Sequence, residues 1–198
     1  MGQYYDILIN QDNRYYYSDR KVDGKREFAK LMEHSWFEND TLKCICSFIY
    51  QKPSQVFWVG DYADNVTNQI NTLSVKKIKE IYDLTYCNEK NVETLLLTSA
   101  NQISLKDRFL VNHTKKIFID GDEYFNLAQN NDGWCTHPLS LLTALGNGQG
   151  GGDFFGENKE KVGAWAGDLI SVEDKLLSKS TLLGFENKTS DYIFVENF

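Results

Sequence analysis

A chain of 198 residues is long enough for one sizeable core, and 41% hydrophobic with 25% charged residues is the balance of a folded globular domain. A net charge of −7, with the acids dispersed, supplies no basic field to neutralise phosphates and excludes general nucleic-acid binding. The opening Met1-Gly2-Gln3-Tyr4-Tyr5-Asp6 lacks the charged and apolar regions of a secretory signal, and no run reaches membrane-spanning length. The expected setting is therefore cytoplasmic, with reduced thiols and no membrane partner.

In chain order, residues 4–9 have strand composition, Gln11-Asp12-Asn13 carries turn chemistry and 14–18 returns, which predicts an N-terminal hairpin. Residues 26–34 have helical composition, with Phe28, Leu31 and Met32 as a short apolar stripe. A second helix starts at an Asn39 or Asp40 cap, aligns Leu42, Ile45, Cys46 and Ile49, and stops before Pro53. A buried strand over 55–59, a helix over 75–86 and a short strand over 95–98 follow. Residues 108–112 and 116–120 flank His113-Thr114-Lys115 as a second hairpin, and a helix over 121–129 leads to the turn at Asn130-Asn131-Asp132-Gly133. Residues 134–145 lead into a glycine run, and strands are expected over 161–172 and 192–195. Hairpins and isolated strands without steady strand–helix alternation predict a single α+β domain over 1–198, mainly antiparallel sheet with a few helices packed on it. Trp58-Val59-Gly60-Asp61 is echoed by Trp165-Ala166-Gly167-Asp168, as two related strand ends would be.

The glycine run is the strongest pointer to a site. Five of the seven residues 146–152 are glycine, and eight of the fourteen glycines fall within 146–167. Such a run has no side chains to pack and loses the most conformational entropy on folding. Gly146, Gly148 and Gly151 match the G-x-G-x-x-G spacing, but the following Asp153-Phe154-Phe155-Gly156-Glu157 is a poor helix start, so a dinucleotide fold is not indicated. No Gly-Lys-Ser/Thr follows, which excludes a P-loop. A backbone nest remains, in which Gly146, Asn147, Gly148, Gly150, Gly151 and Gly152 turn N–H groups toward an anion. Asp153 would oppose that anion unless it meets a hydroxyl or a base edge. The alternative is a mobile loop.

Three histidines, His34, His113 and His137, stand in polar motifs and are the acid/base candidates if the chain is an enzyme; His137 lies nine residues before the glycine run. Asp61 and Asp64 read as capping residues, whereas Asp168 follows a glycine near a strand and is a binding candidate. Trp134 and Trp165 are candidate stacking surfaces for a base. Cys44, Cys46, Cys87 and Cys135 form no zinc or redox spacing, so no metal or cofactor is expected.

Met1-Gly2-Gln3-Tyr4-Tyr5, Leu31-Met32-Glu33-His34-Ser35-Trp36, Trp58-Val59-Gly60-Asp61-Tyr62-Ala63-Asp64, Val111-Asn112-His113-Thr114-Lys115-Lys116, His137-Pro138-Leu139, the run 146–153 and Val162-Gly163-Ala164-Trp165-Ala166-Gly167-Asp168 form a joint pattern. It resembles a family of small, functionally uncharacterised bacterial and phage proteins. The likeness covers most of the chain, least over 67–101, and supplies no activity. The phage association implies host takeover or immune evasion. The leading expectation is a protein that binds a small anionic ligand, a nucleotide or nucleotide-derived signal, and sequesters it. A hydrolase or transferase of phosphorylated small molecules and an inhibitory protein-interaction module are the alternatives.

Overall fold

The computed structural model describes residues 2–26, 29–65, 73–87, 92–130, 132–176 and 182–196. In chain order they form β1 (Tyr5–Gln11), β2 (Arg14–Ser18), β3 (Lys21–Val22), β4 (Lys25–Arg26), α1 (Leu31–His34), α2 (Asp40–Phe48) and β5 (Ser54–Gly60). Then come α3 (Val75–Tyr86), β6 (Val92–Thr94), β7 (Arg108–Asn112), β8 (Ile117–Asp120), α4 (Gly121–Ala128), α5 (Pro138–Leu142), β9 (Ala144–Leu145), β10 (Leu169–Asp174) and β11 (Glu186–Asn187).

The first hairpin closes because Asp12 and Asn13 both take positive φ, 52° and 63°, a pairing that matches the twist of the strands and that short polar side chains tolerate. One mixed sheet dominates, in the order β11-β8-β7-β10-β5-β1-β2-β6, with β9 beside β5. Its long pairings, β1 with β2 and β5, β10 with β7, and β7 with β8, are antiparallel, as is the two-residue pairing of β10 with β5. The parallel pairings of β11, β6 and β9 are two or three residues long. The fold is α+β, as composition and element order predict.

Alternation sorts each strand between two cores. Tyr5, Ile7 and Ile9 of β1, Val56 and Trp58 of β5, and Ile170 and Val172 of β10 join the larger core, closed by Leu42 and Ile45 of α2, Tyr124 of α4 and Leu139 and Leu142 of α5. Leu8, Phe57 and Val59 point the other way and meet Ile78 and Ile81 of α3. Cover on both faces explains why Ile7, Leu8 and Ile9 of β1 are apolar in succession rather than alternating.

Several expected boundaries move. The helix expected over 26–34 is confined to Leu31–His34, since Lys25–Arg26 pairs with β3; Phe28 lies outside the described residues. The strand expected over 161–172 begins only at Leu169, because the preceding residues turn, with Gly163 and Gly167 at φ 79° and 88°. The apolar run 192–195 joins no ladder: a 3-10 turn covers Thr189–Tyr192, and Phe194 plugs the larger core. The strand expected over 95–98 lies three residues earlier, at Val92–Thr94. The Trp-x-Gly-Asp echo is not a structural repeat, since Trp58-Val59-Gly60 ends β5 whereas Trp165-Ala166-Gly167 lies in turns before β10.

Candidate functional site

The glycine loop is built around an anion, and that anion is the chain's own Asp153. The N–H groups of Gly148, Gln149 and Gly150 donate to Asp153 Oδ2 at 2.7, 3.0 and 3.0 Å, and Tyr5 Oη donates to Oδ1 at 2.8 Å. Burial raises the Asp153 pKa, and the donated hydrogen bonds pull against that rise. Asn147 completes the turn by accepting from Phe154 N and donating to Phe154 O. An external anion would compete with Asp153 for the same three amides.

Close packing accounts for the glycines. A Cβ at Gly60, Gly146 or Gly150 would run into Gln3, and one at Gly152 into Lys30. The loop backbone then ties down two elements: Gln3 N donates to Gly151 O at 3.1 Å and Met32 N to Gly152 O at 3.0 Å. The run thus clamps the segment before β1 and the start of α1. Gly148 alone of the run combines a positive φ, 91°, with open space around its Cα.

Asp168, Trp165 and His137, other expected ligand contacts, touch residues outside the loop, and Trp165 Nε1 has no hydrogen-bond partner among the described residues. Asp168 accepts from Asn112 Nδ2 at 2.8 Å and pairs with the Lys115 ammonium. Trp165 is fully buried, edge-on to Tyr192. Asp61 and Asp64, expected as caps, make other contacts: Asp61 Oδ1 accepts from Tyr4 N, far away in sequence, and Asp64 Oδ1 accepts from the Asn65 side-chain Nδ2.

The histidines separate clearly. His137 caps α5: its Nδ1 accepts from Leu139 N at 3.2 Å, and Pro138 takes the first helical position. With Nδ1 accepting, the neutral ring carries its proton on Nε2, which faces Cys46 Sγ at 3.8 Å. Burial pushes the His137 pKa down to about 3 and the Cys46 thiol up to about 12, so the pair is neutral and sequestered. His34 is also fully buried, its Nε2 accepting from Trp58 Nε1. His113 differs. It is half-buried, and its Nε2 lies 2.7 Å from Ser171 Oγ, which donates to Glu173 Oε1 at 2.6 Å. Since Ser171 spends its one proton on Glu173, Nε2 must donate to Ser171, leaving Nδ1 as the ring's basic nitrogen. Burial lowers the His113 pKa, and Glu173 opposes that shift.

Trp134 belongs to a different surface. It is 53% exposed and lies against Trp36, with ring centroids 4.6 Å apart at 57°. Trp36, Trp134, Ala128, Asn130, Thr136 and Glu196 enclose a niche of about 10 Å³. Glu196 Oε2 is shut off from solvent and has no hydrogen-bond partner among the described residues, and burial raises the Glu196 pKa. Thr136 Oγ1 is already committed to Tyr124 and to Phe194 O, and Asn130 Oδ1 accepts from Asp132 N and Trp134 N. Leu127 and Phe155 are further exposed apolar residues.

The sequence pointed to neither Trp36 as Trp134's partner nor Glu196 or Ser171. Glu196 reaches the niche only because the 189–196 segment is pinned as an unpaired stretch, which no local pattern encodes. The signal that could have found Ser171 is its alternation, with Glu173, against Ile170 and Val172 in β10. A broader open depression of about 670 Å³ is bordered by Arg108, Asp174 and Lys175, which pair with neighbouring charges. Among the described residues, no group of three His, Cys, Asp or Glu could hold a metal, and no helix is long and apolar enough to cross a membrane. No family model, curated protein or solved structure matches the chain.

Proposed function

We propose that the chain is a cytoplasmic protein-interaction module that docks a partner on the Trp36–Trp134 surface. The observation that carries this reading is the half-exposed Trp134, packed against a second tryptophan. Rigid aromatic anchors with apolar neighbours are what dominate binding energy at interfaces. The glycine loop, filled by Asp153, then serves the fold. In a phage-like setting such a module would block the host protein it binds.

The test compares capture of host-extract proteins by the wild type with capture by Trp134→Ala and Gly148→Ala. A protein retained by the wild type and by Gly148→Ala but lost from Trp134→Ala supports the reading. Equal retention by Trp134→Ala, or no retention by the wild type, overturns it. A rise in melting temperature with nucleotides or cyclic dinucleotides would instead restore the small-anion reading, through ligand linkage.

One observation favours catalysis as a second reading. The His113–Ser171–Glu173 relay fixes a ring tautomer and leaves Nδ1 available as a general base. Hydrolysis of a phosphorylated small molecule that disappears in His113→Ala would establish it, and an inactive wild type would remove it.

A further inference from the structure

Asn147-Gly148 is the one Asn-Gly dipeptide in the chain, and it stands inside the loop that cradles Asp153. In such a pair the backbone nitrogen after the asparagine can attack the side-chain carbonyl carbon, because glycine puts no Cβ in the way. Asparagine is thermolabile by this route. Nothing lies within 4 Å of the Cβ position at Gly148, and the residue is exposed, so neither crowding nor burial there protects the pair. Hydrogen bonds do. The nucleophile, Gly148 N, donates to Asp153 Oδ2 at 2.7 Å, and a carboxylate beside that nitrogen disfavours the amide anion that attacks. The electrophile is held as well. Asn147 Oδ1 accepts from Phe154 N at 2.8 Å, and Nδ2 donates to Phe154 O at 3.1 Å. Phe154 is fully buried in the larger core, which fixes this anchor.

We infer that Asn147 is a spontaneous deamidation site that the closed Asp153 cradle holds inert and that opening of the loop releases. In the step, Gly148 N bonds to Asn147 Cγ, the Cγ–Nδ2 bond breaks, and ammonia leaves with the Gly148 amide proton. Water then opens the cyclic imide at either carbonyl, leaving aspartate or iso-aspartate. Neither product refits the loop. Aspartate offers an oxygen where Nδ2 now donates to Phe154 O, and iso-aspartate adds a backbone carbon before Gly148. Since ammonia is lost, the change is one-way, and it loosens the clamp that Gly151 and Gly152 make on Gln3 and Met32. The chemistry is independent of what the Trp134 surface binds.

Peptide mapping by mass spectrometry, after warm incubation at mildly alkaline pH, follows conversion at Asn147. The samples are native wild type, wild type unfolded in urea, Asp153→Ala and Ile119→Ala. Ile119 lies in β8, three strands from β5 and four from β1, so its truncation weakens the core at a distance from the cradle. The expected result is conversion in the unfolded chain, at least about tenfold slower conversion in native wild type, and at least about tenfold faster conversion in Asp153→Ala than in Ile119→Ala. Native conversion as fast as unfolded conversion, or none in the unfolded chain, overturns the inference. A slower rate in Asp153→Ala overturns it too, by making Asp153 the general base. Equal acceleration in Ile119→Ala has the same force, since global unfolding would then suffice. Should Asp153→Ala not fold, Tyr5→Phe, which removes the donor to Oδ1, takes its place with conversion faster than in wild type expected. Asn147→Asp should speed hydrogen exchange at the Gly148, Gln149 and Gly150 amides, and unchanged exchange would overturn the release of the clamp.

Discussion

Asp153 shows how one side chain decides between two readings of the same loop. Three backbone N–H groups and one tyrosine hydroxyl converge on a carboxylate that sits only three to five residues away in sequence from those amides. Truncation in Asp153→Ala leaves those donors unmet and is expected to lower stability by about 3 kcal/mol, read as a shift in the urea midpoint. A change within a few tenths of a kcal/mol would mean that water replaces the carboxylate freely. His137 gives a pH signature. Its folded pKa, about 3, lies below the ordinary 6.5, so the unfolded chain binds the extra proton between those values. Stability from this residue is complete above pH 6.5 and is lost as pH falls toward 3, at up to about 1.4 kcal/mol per pH unit. His137→Asn supplies an N-cap acceptor, Oδ1 in place of the ring Nδ1, and removes the titration, so its stability should fall less steeply with acid over that window. His113 is expected to titrate below 6.5 by NMR, and Glu173→Gln, which removes the charge that raises its pKa, should lower it further.

At the scale of elements, the glycine run works through steric fit. Gly150→Ala places a Cβ against the backbone of Gln3, whereas Gly148→Ala meets open space and bears only the strain of its positive φ. Gly150→Ala should therefore destabilise by about 3 kcal/mol or more and Gly148→Ala by about 1 kcal/mol, measured by denaturant unfolding. Equal effects would contradict the clamp. The comparison of sequence with structure turns on the same distinction between local and distant causes. The helices Asp40–Phe48 and Val75–Tyr86 and the hairpin of β7 and β8 were legible, because caps, periodicity and turn residues lie within the segments themselves. The run 161–172 was misread because apolar residues packed by turns and apolar residues in a strand have similar composition. The glycines were recognised as demanding close approach, yet what approaches is Gln3, more than 140 residues earlier. Nothing near residue 150 states that.

For the molecule as a whole, the sheet divides the chain into two cores, and the segments that cap the larger one bring α4, the Trp36 turn and the 189–196 segment to one surface. Partner binding there by an acidic protein should weaken with added salt; affinity unchanged between low and physiological ionic strength would count against a basic partner. The candidate site was only partly legible for the same reason: Trp134 was visible as a stacking residue, but Trp36 and Glu196 come from two distant stretches of chain. The most direct test of the account is a ¹H–¹⁵N NMR titration of the intact protein, first with a protein captured from host extract and then with a nucleotide. The account predicts that the captured protein moves the Trp36 and Trp134 indole signals and that the nucleotide leaves the Gly148, Gln149 and Gly150 amides in place. Nucleotide-driven shifts of those three amides, with the indoles unmoved by the captured protein, would contradict it.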